Sequence, residues 1–198
     1  RIDELFQEAG GLKNDEKPMR FLLKSLSIQQ ISNLLRAILE HPEPVQVRDM
    51  LEKIRHLEEF FLENDAYTEV PAYIFELENL RKLQINMPKI RRFSDDLKHL
   101  SQLRYLSAQY CNLEEFPSCI QSYKQLQELW FHGCGLTEIP NWIGQLQSLQ
   151  KLSLSANSLQ EIPSEIVELQ ELEVLYLEEN KLTQLPEHLS QLQNLKLL

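Results

Sequence analysis

The chain has 198 residues, with 20 Lys and Arg against 30 Asp and Glu, a formal net charge of −10. That balance argues against nucleic acid, whose binding draws on clustered Lys and Arg, and against an anionic membrane surface. No run approaches the ~18 apolar residues of a spanning helix, while 38 leucines against 5 glycines call for a search for internal periodicity.

Residues 1–56 read as the first region. GGLKNDEK at 10–17 is a loop by composition. Ser27 precedes IQQISNLLRAILE, in which Ile28, Ile31, Leu34, Leu35, Ile38 and Leu39 share one helical face. Ser27 with Gln30 has capping-box spacing, and Leu26 with Ile31 makes a hydrophobic staple. His41-Pro42-Glu43-Pro44 stops that helix, and RDMLEKIRH at 48–56 has the makings of a second. A degenerate repeat over 34–56 is the rival reading. A helical N-terminal cap is favoured because it would cover the first strand, EEFFLEN, which is otherwise an exposed edge.

From Leu57 onward the chain repeats. Leu57, Leu80, Leu103, Leu126, Leu149, Leu172 and Leu195 follow one another at intervals of 23. Three residues after each of the first six stand Phe60, Leu83, Leu106, Leu129, Leu152 and Leu175, and two further on Leu62, Ile85, Ala108, Phe131, Leu154 and Leu177. Apolar–proline pairs recur at Val70-Pro71, Phe116-Pro117, Ile139-Pro140, Ile162-Pro163 and Leu185-Pro186. The LxL alternation predicts a short strand per unit, apolar residues inward and variable ones outward. Proline then turns the chain away from the ladder. Pairs such as Ile143 with Leu146 and Ile166 with Leu169 aim a helical or 3₁₀ turn inward. No unit buries its own face, so neighbours supply the core.

These units, read as LxxLxLxxNxLxxIPxxIxxLxx, resemble leucine-rich repeats of the 23-residue class. LQKLSLSANSLQEIPSEIVELQE and LEVLYLEENKLTQLPEHLSQLQN fit best. Similar units occur in Scribble/Erbin-type scaffolds, Shoc-2-type, plant Ras-group, Roco and bacterial repeat proteins. The resemblance implies an α/β solenoid, a curved horseshoe with its parallel sheet on the concave face, spanning 57–198 behind the cap at 1–56. Two units depart from the pattern. That from Leu80 has Pro88 where Asn is expected and Ser94 where Pro is expected, so the geometry is expected to be least regular over 86–95. Asp65 occupies the Asn site of the first unit. A start at Arg1 and a stop at Leu198, soon after a strand begins, are expected of a fragment.

No catalytic constellation emerges. His41, His56, His99, His132 and His188 lack metal-ligand spacing, and no phosphate loop or nucleophile elbow occurs. The expectation is no enzyme activity, no metal and no cofactor. Glu114-Glu115 and Glu178-Glu179 read as solvated pairs. Three cysteines and no Asn-x-Ser/Thr sequon fit a reducing, cytoplasmic setting, with a secreted effector as the alternative. Cys111 and Cys134, one unit apart, either replace the ladder Asn or stand within disulfide reach; the Asn replacement is favoured. Cys119 reads as packing.

The outward strand positions carry the functional expectation. They include Phe61, Lys82, Met87, Tyr105, Ser107, Tyr110, Trp130, His132, Lys151, Ser153, Ser155, Tyr176 and Glu178. Tyr and Trp most often carry binding energy between proteins. Phe61, Tyr105, Tyr110, Trp130, His132 and Tyr176 are therefore the candidate anchors, rimmed by Glu178, Lys82 and Lys151, for a protein or peptide partner. The rival functions are the recognition fragment of a larger GTPase, kinase or ubiquitin ligase, and a bacterial effector that binds a host protein. Residues 1–56 hold nine charges of each sign, so the net −10 lies in the repeats. A basic band at 81–104, from Arg81 to Arg104, interrupts it and reads as a solvated loop.

Overall fold

A computed structural model describes residues 57–63 and 67–197. The proposed cap over 1–56 and the Asp65 site lie outside them. The described residues form a six-stranded parallel sheet in sequence order: β1 (Glu59–Glu63), β2 (Lys82–Asn86), β3 (Tyr105–Ala108), β4 (Glu128–Trp130), β5 (Lys151–Ser153) and β6 (Val174–Tyr176). Each pairs with the next in a shift of one repeat, as in Leu83↔Leu106 and Leu129↔Leu152. A further rung begins where Val174 bridges Leu197.

Alternation sets the two faces. Phe60, Leu83, Leu106, Leu129, Leu152 and Leu175 are buried on the inner side. Opposite them run 3₁₀ turns at Ala72–Glu76, Asp95–His99, Ser118–Ser122, Asn141–Gln145, Ser164–Glu168 and Leu189–Gln191. Four of these open directly on Pro71, Pro117, Pro140 or Pro163, held extended with φ between −60° and −71°. The fixed ring angle of proline gives that entry at no extra entropic cost. Ile143 with Leu146, and Ile166 with Leu169, complete the core from this side. Each fully buried Leu or Ile contributes roughly 1.5–3 kcal/mol over leaving it in water.

The irregularity expected over 86–95 is confined to one turn. Ser94 has φ −64° and ψ 142°, the conformation of the prolines it replaces, and its hydroxyl accepts from the Asp96 amide. A serine cap thus does what proline does elsewhere. The change lies at Met87. Its counterparts Tyr110, Gly133, Ala156 and Glu179 are left-handed, with φ between 55° and 65°, and Met87 is not. A residue before proline is pushed towards extended backbone, and Met87 precedes Pro88. Met87 was expected on the outward surface; it is fully buried instead.

Inter-repeat ladders close the loops after the strands. Buried Asn157 accepts from the amides of Cys134 and Leu136, and its Nδ2 donates to the carbonyls of Phe131, Leu154 and Ser155. Asn180 repeats this against Leu159, Leu154 and Leu177. Cys134 stands in the same place one unit earlier. Its Sγ lies 2.8 Å from the Ala108 carbonyl, the counterpart of the 2.7 Å bond from Asn157 to Phe131. All three cysteines are free, so the disulfide allowed by the spacing is not formed. Cys119 is buried, and desolvation pushes its thiol up to about 12, as befits a packing residue.

Candidate functional site

The outward side chains form two registered rows. One runs Glu59, Lys82, Tyr105, Glu128, Lys151, Val174, and the other Phe61, Gln84, Ser107, Trp130, Ser153, Tyr176. In the first, charges and rings are already engaged with one another. Lys82 Nζ sits 4.9 Å over the Tyr105 ring. Lys151 Nζ donates to Glu128 at 2.9 Å, and this carboxylate raises the Lys151 ammonium above its ordinary value. The other oxygen of Glu128 accepts the indole N–H of Trp130 at 3.0 Å. The indole is therefore fixed by a polar handle while its ring stays half-exposed.

In the second row large and small residues alternate. Trp130 and Tyr176 lie two strands apart, yet their ring centroids are 6.0 Å apart, inclined at 41°. They meet because Ser153 stands between them on β5. Ser107, on the other side of Trp130, and Ser153 are both buried, although sequence placed them outward. The pleat does point them outward; their size leaves them beneath longer neighbours.

Beyond the strands, Tyr110 stacks edge-on against His132 at 5.1 Å. Tyr110 is 63% exposed and left-handed at φ 55°, a costly conformation for a bulky residue. Its ring lies over Gly133, where a Cβ would stand 2.9 Å from Tyr110 Cδ1. Nearby, the Ser155 hydroxyl donates to Glu178, a bond that holds this carboxyl below its ordinary range.

Two stretches match models of the leucine-rich repeat, residues 125–146 and 147–198. Solved structures share the architecture. The chain is 25% identical to the ectodomain of the plant receptor kinase GASSHO1/SCHENGEN3 from Arabidopsis thaliana, solved with Casparian strip integrity factor 2; the match covers 71% of this chain and 18% of that one, with a TM-score of 0.62. It is 26% identical to a repeat protein of Leptospira interrogans over 100% of this chain and 57% of that one, at a TM-score of 0.53. This is a leucine-rich-repeat protein. A structure of TLR13 with ssRNA13 shares the fold alone, at 22% identity over 74% of this chain and 22% of that one, with a TM-score of 0.64. The chain thus spans less than two thirds of each of these structures. No match was found among curated protein sequences.

Within this leucine-rich-repeat sheet the anchors named from sequence fall into three groups. Trp130 with Tyr176 and Tyr110 with His132 are brought together, next to Lys151 and Glu178. Tyr105 is joined to Lys82 instead. Phe61 shares the row of Trp130 but stands three strands away, roughly 14 Å at ordinary strand spacing. Two further outward positions, not named among the anchors, contribute. Gly133 makes room for the Tyr110 ring, and Ser155 orients Glu178. A glycine in a chain with only five was a usable signal for the first; nothing local marked the second. Among the described residues no group of His, Cys, Asp and Glu is arranged to hold a metal, and no helix is long and apolar enough to cross a membrane.

Proposed function

We propose that this leucine-rich-repeat protein is a recognition module that binds a protein partner on the solvent face of the sheet, the concave face of such solenoids. The observation that carries the reading is the pair of aromatic contacts at outward positions, Trp130–Tyr176 and Tyr110–His132. Half-exposed aromatic rings fixed by their neighbours lose little side-chain entropy on binding, which is why Trp and Tyr dominate interface energetics. Leucine-rich repeats are typically non-enzymatic binding modules, and the reading is of a binder rather than an enzyme. Protein is favoured over nucleic acid because the repeats carry the entire net −10 of the chain. Three free cysteines support a reducing, cytoplasmic setting.

The test is affinity capture from the native source by the wild-type chain and by Trp130→Ala. Loss of a Trp130 contact at an interface centre is expected to weaken capture of the specific partner at least ~10-fold, with unchanged thermal unfolding. Equal capture by Trp130→Ala and Tyr176→Ala would refute the reading.

A further inference from the structure

The charge around the Trp130–Tyr176 pair is unbalanced. Lys151 is committed to Glu128 at 2.9 Å. Glu178 and Glu179, which follow Tyr176, are exposed and form no ion pair among the described residues. The Glu178 carboxylate is nonetheless held in place, by the Ser155 hydroxyl. It lies two residues beyond Tyr176, one outward position along the same chain, or about 7 Å. An oriented carboxylate with spare acceptor capacity thus flanks an indole–phenol surface that is itself fixed through Glu128.

This is the chemistry that receives a guanidinium. A planar cation gains from stacking on Trp and Tyr faces, and its forked N–H groups match a carboxylate in two parallel bonds. An ammonium offers neither the plane nor the fork. A fixed acceptor also spares the ordering entropy that a free glutamate side chain loses on binding. The acidic balance of the repeats would speed the approach of such a partner.

We infer that the partner presents an exposed arginine, seated on the Trp130–Tyr176 surface and paired with Glu178. The inference rests on the reading of this face as a protein-binding surface, and its test separates the two. A random-peptide display library is selected on the whole 198-residue chain, and the selected peptides are measured against wild type, Trp130→Ala and Glu178→Gln. Selected peptides are expected to share one arginine and to lose at least ~10-fold in affinity on Trp130→Ala. Glu178→Gln should cost those peptides about 10-fold but leave their Arg→Ala versions unaffected, since the lost interaction is the charged fork. Replacement of that arginine by lysine should weaken binding several-fold. Glu178 is exposed, so an unchanged melting temperature is expected for Glu178→Gln. Peptides that need Trp130 but share no arginine, bind lysine as well, or ignore Glu178→Gln overturn the arginine inference and leave the protein-binding reading standing. Peptides indifferent to Trp130→Ala, or no binders at all, overturn both.

Discussion

The repeats from Leu149 and from Leu80 share a strand register but join their neighbours by different means. Around Leu149, one buried amide, Asn157, ties five backbone groups of two units together. Around Leu80 the same site is Pro88, which has no side-chain donor or acceptor, and the following unit offers Cys111, whose Sγ lies 3.8 Å from the Gln109 carbonyl. Cohesion there comes from other sources. Backbone bonds run from the Asn112 amide to the Ile90 carbonyl and from the Glu114 amide to the Arg91 carbonyl. Tyr123, standing where other units have Leu, reaches back to donate its hydroxyl to the Leu97 carbonyl. The rungs thus build the solenoid in both regions, while the ties between turns are exchangeable.

The largest break in this comparison is expected from Asn157→Ala. It leaves several buried backbone groups unpaired at once, at 1–3 kcal/mol each before relaxation, so a loss of roughly 4 kcal/mol is expected. Cys134→Ala removes a smaller buried side chain and one weak donor, for about 1–2 kcal/mol. Urea unfolding of the two variants measures the gap. Equal losses would mean that the asparagine ladder is not what distinguishes the regions.

The converse change, Cys134→Asn, sharpens the same point. An asparagine there could donate to the Ala108 carbonyl, as Asn157 does to Phe131, and accept from the Cys111 and Leu113 amides. Leu113 already has a backbone partner in Cys134, which limits the gain to about 1 kcal/mol. A lower urea midpoint for Cys134→Asn would show a site shaped around sulfur.

Most of this architecture was legible because its signals are short-range or periodic. The 23-residue interval became the strand register, as in Glu59↔Lys82, since parallel strands of identical units can pair only in that shift. Cys134 was legible as an asparagine substitute from position alone. Met87 was misplaced because the eighth position of each unit was read as outward; before Pro88 it lacks the left-handed turn of its counterparts, and the alternation of Leu83 and Ile85 carries it inward. Ser94 was expected to disturb the turn because its capping ability was not weighed against the loss of proline. The burial of Ser153 could not be read from β5, for it depends on Trp130 and Tyr176 leaning together from the strands on either side. Pairings such as Ser155 with Glu178 join adjacent units through long side chains, and periodicity says nothing of rotamers.

The smallest expected effect concerns charge. Glu114, read from sequence as one of a solvated pair, receives Arg92 at 2.6 Å and Arg91 at 3.7 Å, so the basic band is partly neutralised by the unit that follows it. All three side chains remain at least 41% exposed. Water and salt therefore screen the attraction, and immobilising two arginines offsets much of it; Glu114→Gln should cost only about 0.5 kcal/mol. The ion pair also duplicates a tie that persists without it, the backbone bond from the Glu114 amide to the Arg91 carbonyl at 2.9 Å. Urea midpoints of wild type and Glu114→Gln at low and at about 1 M salt separate the two contributions, because only the ion pair is screened away. The difference should shrink towards zero at high salt. A loss that ignores salt would place Glu114 with Asn157, as a group whose hydrogen bonding rather than charge holds its turn.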